Sequence, residues 1–139
     1  MNRLPVRIRR VVEALRPYEP DSVLLFGSWA RGEADELSDV DLVIIKATSV
    51  PFLERLREAG KLLPASAGAV DLLVYTPEEF RQMRREGNAF AEMLAEEAVL
   101  VYGRNPEVNK GVWKPILSAT SRWRASRVKK AIPFGFGAR

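Results

Sequence analysis

Two aspartates separated by one residue, Asp39 and Asp41, are the side chains in this 139-residue sequence whose spacing points most directly to chemistry. They open an apolar run, Leu42-Val43-Ile44-Ile45, that is typical of a β-strand. Because residues two apart on a strand point to the same side, both carboxylates are expected to face one spot. Paired carboxylates repel each other unless a cation lies between them, and hard oxygen ligands favour Mg²⁺, with Mn²⁺ as an alternative.

A third aspartate, Asp71, lies near the start of another apolar run, at residues 70–75. If this run is a strand beside that of Asp39 and Asp41, three carboxylates converge and could hold two metal ions about 3.5–4 Å apart. We therefore predict Asp39, Asp41 and Asp71 as catalytic and metal-binding residues. The alternative for Asp39 and Asp41 is a solvated strand entry after a turn, but that alternative does not account for Asp71.

A glycine and a serine follow an earlier apolar run, and they suit an anion. Gly27 allows a sharp turn, and Ser28 stands where a helix would begin, with its hydroxyl and free N–H groups available to a phosphate. Arg31 adds a permanent charge and a fork of donors. We predict that Gly27, Ser28 and Arg31 bind a nucleotide. Ser28 is expected to be a plain helix N-cap as well, and Arg31 can equally pair with Glu33 or Asp35.

The segments Gly27-Ser28-x-Ala30-Arg31-Gly32 and Ser38-Asp39-x-Asp41-Leu42, with Asp71 later in the chain, resemble the polymerase-β-type nucleotidyltransferase superfamily. More narrowly, they resemble its minimal nucleotidyltransferases, and the resemblance covers roughly residues 4–102. It implies an α/β (α+β) domain in which a mixed β-sheet of about four strands is flanked by helices. It also implies Mg²⁺ on the three aspartates and a triphosphate on the glycine–serine turn.

The resemblance further implies a reaction and a partner. Such enzymes move a nucleoside monophosphate to an acceptor and release pyrophosphate, and we expect AMP, taken from ATP, to be transferred to a hydroxyl group. Minimal nucleotidyltransferases are often paired with a HEPN-domain protein, so the expected acceptor is a HEPN-type toxin, in a homo- or hetero-oligomer. The alternative is an antitoxin that neutralises its partner by binding, with weak or absent catalysis.

The composition limits the possible chemistry. The sequence contains no cysteine and no histidine. Disulfides, thiolate zinc sites and Ser-His or Cys-His nucleophiles are therefore excluded, whereas a metal-assisted mechanism fits. No apolar stretch approaches the roughly 20 residues of a membrane span, and the first residues lack the apolar core of a signal peptide. We expect a cytoplasmic protein that does not bind membranes.

Charge divides the sequence into two parts. Residues 1–103 contain 13 basic and 17 acidic side chains, whereas residues 104–139 contain 9 basic and 1 acidic. We expect a nucleotidyltransferase domain at 1–103 and a basic extension at 104–139 with little structure beyond a short helix near 121–130. Basic residues interleaved with Trp113 and Trp123 could bind nucleic acid. Partner docking or a poorly ordered tail is the favoured interpretation of this extension.

Apolar periodicity predicts alternating helices and strands, an order that suits a sheet with helices on one or both faces. Strands are expected at 23–26, 40–45, 70–75 and 99–102, and helices at 6–16, 89–98 and directly after Gly27. Thr76 and Glu79 have the spacing of a capping box at the start of a further helix. Ser49 is predicted to cap another helix, whose buried side chains are expected to be Phe52, Leu53, Leu56 and Ala59.

Overall fold

The structure is a computed structural model that describes residues 4–114. Its helices are α1 (Val6–Leu15), α2 (Ser28–Arg31), α3 (Phe52–Gly60), α4 (Pro77–Arg85) and α5 (Ala89–Glu97). Its strands are β1 (Ser22–Phe26), β2 (Val40–Ile45), β3 (Val70–Tyr75) and β4 (Val99–Gly103). Short 3₁₀ turns lie at Arg16–Tyr18 and Ala65–Ala67.

The four strands form one mixed sheet in the order β3-β2-β1-β4. β1 is antiparallel to both β2 and β4, whereas β2 and β3 are parallel. A parallel pair needs a crossover connection, and α3 supplies it between β2 and β3. The predicted α+β architecture, a mixed four-stranded sheet with helices, is confirmed.

Each face of the sheet is covered by its own apolar layer because side chains alternate along a strand. On one face, Leu25 and Leu42 belong to the same buried cluster as Ile8 of α1. On the other face, Phe26 and Val43 belong to a cluster with side chains of α4 and α5. The central strands β1 and β2 are therefore buried on both sides, which accounts for their nearly continuous apolar runs.

Helix α3 differs from the prediction. It begins after Pro51, which makes no side-chain capping bond, so the predicted Ser49 cap is wrong. Leu53, expected in the core, is 71% exposed, whereas Arg55 is only 6% exposed. The physical reason is that Arg55 finds several hydrogen-bond acceptors in the interior, and its burial turns Leu53 toward solvent.

Arg55 joins three elements through one guanidinium group. Its Nη1 and Nη2 donate to the two carboxylate oxygens of Glu79, at 2.7 and 3.1 Å. Nη1 also donates to the carbonyl of Val74 at 3.2 Å, and Nε donates to the carbonyl of Val50 at 2.7 Å. These bonds tie α3 to the end of β3 and the start of α4.

Glu79 serves the predicted capping box as well, and the box is confirmed. Thr76 Oγ1 accepts from the Glu79 backbone N–H at 3.1 Å, and Glu79 Oε1 accepts from the Thr76 N–H at 2.9 Å. The hydrogen bond from Arg55, aided by the bonds at Thr76, lowers the pKa of Glu79 below its ordinary value. The carboxylate therefore stays charged where it holds α4 in place.

The chain stays packed against the domain after β4. Val108 is buried, the Asn109 N–H donates to the Ala95 carbonyl at 2.7 Å, and the Trp113 N–H donates to the Leu100 carbonyl at 2.8 Å. The predicted helix near 121–130, together with Trp123, lies outside the described residues. Within residues 4–114, no helix is long and apolar enough to cross a membrane.

Replacing Arg55 with Met tests the link between α3 and α4. Arg55→Met is expected to lower the free energy of unfolding by roughly 2–4 kcal/mol at pH 7, because it leaves two carbonyl groups without this donor and removes the charge partner of Glu79. Urea unfolding followed by circular dichroism measures the change. Because the folded-state pKa of Glu79 is lowered, the stabilisation exists above the ordinary glutamate pKa, and the difference from wild type should shrink below about pH 4.

The matched control for this substitution is Arg57→Met on the same helix, whose ion pair with Glu54 is exposed at both ends. We expect that substitution to change the unfolding free energy by no more than about 0.5 kcal/mol. Equal losses in the two variants would contradict a special role for Arg55.

Candidate functional site

The strand directions bring three chain segments to one end of the sheet. β1 ends where the antiparallel β2 begins, and the parallel β3 begins at the same end. In the register of the sheet, Phe26 lies opposite Asp41, and Asp41 lies opposite Asp71. The glycine–serine turn and the predicted aspartates therefore meet at this end.

The aspartates differ in their surroundings. Asp41 and Asp71 are directly paired across the parallel strands, so their side chains leave the same face of the sheet. Asp41 is only 9% exposed and Asp71 is exposed, whereas Asp39 is exposed and immediately precedes β2. The backbone thus brings Asp41 and Asp71 together, with Asp39 two residues before Asp41.

The side chains do not form a finished metal site. Among residues 4–114, no three His, Cys, Asp or Glu groups are arranged so that they could together hold a metal ion. Like charges repel when no cation lies between them, so such carboxylates have no reason to gather by themselves. The donor set nevertheless fits Mg²⁺, which prefers oxygen ligands and takes one or two carboxylates with substrate phosphates.

Gly27 lies directly against the buried aspartate. Its backbone has φ 76° and ψ −156°, a conformation that essentially only glycine adopts. A Cβ atom at this position would lie 2.2 Å from Oδ2 of Asp41. Glycine is therefore required here for two reasons, the backbone conformation and the close approach of the carboxylate.

The turn itself corrects one alternative from the sequence. Ser28 is the first residue of α2 and not its N-cap; that position belongs to Gly27, which makes no side-chain capping bond. The Gly27 carbonyl accepts from the N–H groups of Ala30 and Arg31, at 3.0 and 3.1 Å. The Ser28 hydroxyl is thus not used as the cap of this helix.

Arg31 forms the ion pair that was the alternative to phosphate binding. Its Nε donates to Oε1 of Glu33 at 3.0 Å, and both side chains are largely covered. Glu97 lies within its electrostatic reach: burial raises the pKa of Glu97, and the charges of Arg31 and Lys110 oppose that rise. Arg31 therefore lies near two acidic side chains, those of Glu33 and Glu97, and its contact with a phosphate stays a prediction.

A pocket of about 550 Å³ opens beside the paired aspartates, between β3 and α5. Its walls are mainly apolar, with Asp41 and Asp71 as the charged residues of its lining. Phe90 lies edge-on to Phe26, with 5.5 Å between ring centroids. A pocket of this composition can exclude water around one end of a substrate while the carboxylates face the other end. The remaining lining residues are Val70, Leu72, Leu73, Tyr75, Met83 and Asn88.

Sequence reasoning missed the residues that hold the segment before Asp39. Asp35 accepts from the Leu37 N–H at 2.9 Å and from the Ser38 hydroxyl at 3.2 Å, which fixes a tight turn. Trp29 Nε1 then donates to the Ser38 carbonyl at 3.3 Å. The Asp35–Ser38 spacing carried a turn signal, but the partner of Trp29 is a backbone carbonyl, which leaves no mark on the sequence.

Part of the chain is similar to known proteins. Residues 7–67 match the family model described as a nucleotidyltransferase domain. A curated relative from Methanocaldococcus jannaschii, named "Putative protein adenylyltransferase", is 39% identical over 54 residues. That match covers 39% of this chain and 54% of the relative, so the chain spans about half the length of the curated relative. The segment that matches the family model, residues 7–67, contains Gly27, Asp39 and Asp41 but ends before Asp71.

Solved structures of similar shape were also found. One is a toxin–antitoxin with AMP-PNP, at 17% identity and a TM-score of 0.46, covering 94% of this chain and 92% of that chain. Another, from Sulfolobus solfataricus and described as "a putative nucleotidyltransferase", is 18% identical with a TM-score of 0.41, covering 75% of this chain and 93% of that chain. At these scores nothing about the site follows from the likeness.

The contact between Gly27 and Asp41 can be tested without a ligand. Gly27→Ala is expected to lower the free energy of unfolding, but by about 1–3 kcal/mol less in an Asp41→Ala background, because the overlapping carboxylate is then gone. Urea unfolding of the two single variants and the double variant measures this coupling.

Gly87→Ala is the control for that cycle, since Gly87 also has a positive φ, of 72°, but no atom near its missing Cβ. Its cost should be the same in both backgrounds. A Gly27→Ala cost that does not depend on Asp41 would contradict the contact.

Proposed function

We propose that this chain is a Mg²⁺-dependent enzyme that transfers AMP from ATP to a hydroxyl group. The match of residues 7–67 to the model of a nucleotidyltransferase domain supports this proposal. The observation that carries the proposal is the register of the sheet, in which Asp41 lies opposite Asp71 beside the Gly27 turn. The name of the curated relative supports adenylyl transfer to a protein. We further propose that the protein acts in the cytoplasm.

Each predicted residue has a role in this proposal. Asp39 and Asp41 would hold Mg²⁺ with Asp71, and the ion would supply positive charge at the reacting phosphate. The side chain of Asp71 is exposed beside the pocket, where an acceptor could reach it. Its carboxylate would attract the proton of the acceptor hydroxyl. The Gly27–Ser28 turn and Arg31 would bind the phosphates that leave. The acceptor oxygen bonds to the α-phosphorus as the α–β phosphoanhydride bond breaks, and pyrophosphate departs.

The proposed acceptor lies on a HEPN-type partner, with this chain as the antitoxin of the pair. The resemblance of the glycine–serine and aspartate segments to minimal nucleotidyltransferases is what suggests the partner. The open pocket beside Asp41 and Asp71 is consistent with an acceptor that enters from another protein. The proposal of nucleic-acid binding through residues 104–139 depends mainly on residues outside the described ones, and it ranks below the protein partner.

A second candidate function is an antitoxin that works by binding alone. One observation favours it: Arg31, the predicted phosphate-binding side chain, is paired with Glu33 at 3.0 Å. In that case the fold would cover the partner, and the aspartates would be dispensable for neutralisation. The two candidates therefore differ in what substitution of the aspartates does.

Adenylyl transfer tests the proposal directly. ATP labelled at the α-phosphate is incubated with Mg²⁺, this protein and a purified HEPN-type protein, and label on the latter is measured. Asp41→Asn and Asp71→Asn are each expected to reduce the transfer rate by at least about 100-fold, because charge stabilisation of this kind has that magnitude. Glu36→Gln, which removes an exposed charge three residues before Asp39, is the matched control and should keep the wild-type rate.

Neutralisation of the HEPN-type protein is measured in the same variants. Equal transfer rates in Asp41→Asn and Glu36→Gln would contradict the proposed site. Neutralisation that survives in both aspartate variants, with no label transferred by the wild type, would support the binding antitoxin instead.

A further inference from the structure

Arg7, on the first helix, makes its hydrogen bonds to backbone carbonyl groups of two distant loops. Its Nη1 donates to the Ser38 carbonyl at 2.6 Å and, at 3.4 Å, to the Glu36 carbonyl. Its Nε donates to the Ala67 carbonyl at 3.0 Å, and its Nη2 donates to the Ala69 carbonyl at 3.0 Å. One guanidinium thus joins residues that are 29 to 62 positions away in the sequence.

These two loops are the ones that lead into the predicted aspartates. Ser38 immediately precedes Asp39, and Ala69 is two residues before Asp71. The Ala69 carbonyl also accepts from the Val40 N–H at 3.0 Å, where the pairing of β2 with β3 begins. Arg7 therefore binds at the point where the register between Asp41 and Asp71 is set.

Gly68 and Trp29 lie next to this arginine. A Cβ atom on Gly68, whose φ is 75°, would lie 2.6 Å from Nη2 of Arg7, so a larger residue there would displace the guanidinium from its present position. The guanidinium carbon also lies 5.9 Å from the centre of the Trp29 ring, within the range of a cation–π contact. Trp29 itself donates to the same Ser38 carbonyl.

The arginine approaches from the face of the sheet opposite to the carboxylates. α1 packs with Val40 and Leu42, whereas Asp41 alternates with them and leaves the other face. Arg7 thus acts on the aspartates through their backbone. A planar fork of five donors can reach acceptors on both loops at once, which the compact ammonium group of lysine cannot do.

We propose that Arg7 is a positioning residue that fixes the start of β2 against the start of β3, and so sets the separation of Asp39, Asp41 and Asp71. The inference rests on the proposed function for its consequence in catalysis. The set of hydrogen bonds from Arg7 to the two loops, which we call the clamp, is a structural claim that can be tested separately. Loss of the clamp should loosen both loops and weaken the binding of a divalent ion more than the binding of the nucleotide.

Amide hydrogen exchange, read by mass spectrometry, tests the clamp without any ligand. In Arg7→Met, exchange is expected to be at least tenfold faster in peptides that cover residues 36–41 and 67–71 and unchanged in peptides from β1 and β4. Arg10→Met, which removes an exposed charge from the same helix, should change none of these peptides. Arg7→Lys keeps the charge and most of the aliphatic stem, and it should give a smaller acceleration in the same two segments.

The second readout is the Mg²⁺ concentration that gives half-maximal adenylyl transfer. This concentration should rise about tenfold in Arg7→Met, while KM for ATP changes less than threefold. A similar rise is expected in Arg7→Ala, and guanidinium added to that variant at a non-denaturing concentration should partly reverse it. Unchanged exchange in the two loops, or acceleration spread equally over the whole sheet, would overturn the clamp. Localised acceleration in a protein that transfers no AMP would uphold the clamp and reject the proposed function instead.

Discussion

The register of the parallel strands β2 and β3 is the constraint on which the site depends. With Asp41 opposite Asp71, two carboxylates leave the same face of the sheet at the same position along the strands. A shift of one residue would send one of them to the opposite, apolar face. The register is not a local property of either strand, because the two are joined by 24 residues of chain that include α3. It has to be fixed by contacts at the strand starts and by the two apolar layers.

The same constraint explains why polar residues are tolerated at this end of an otherwise apolar sheet. Val43 and Ile45 of β2 are buried under α4 and α5, whereas Asp41, at the start of the strand, faces the Gly27 turn and the pocket. Holding a nearly buried carboxylate beside a second one costs stability unless a cation or a donor compensates it. In the proposed function, Mg²⁺ would supply this compensation.

Sequence reasoning predicted much of this arrangement. β2 and β3 have the predicted bounds because their apolar runs are bordered by polar turns, and the capping box at Thr76 follows from local chemistry alone. The prediction failed where a distant partner decides the outcome. Arg55 is buried because its guanidinium pairs with Glu79, which is 24 positions away in the sequence. Of the four residues predicted for the buried side of α3, Leu53 is the exposed one. The carbonyl acceptors of Arg7 could not be predicted either, because every residue has a carbonyl group and the position of that group is known only in the folded chain.

The most direct test of the account is anomalous diffraction from crystals grown with Mn²⁺ and a non-hydrolysable ATP analogue. The account predicts a manganese peak within about 2–2.3 Å of carboxylate oxygens of Asp39 and Asp41, with Asp71 turned toward the same ion or its neighbour. It also predicts analogue phosphates beside Gly27 and Ser28. A manganese ion bound away from Asp41, or an Asp71 side chain turned away from the occupied site, would contradict it.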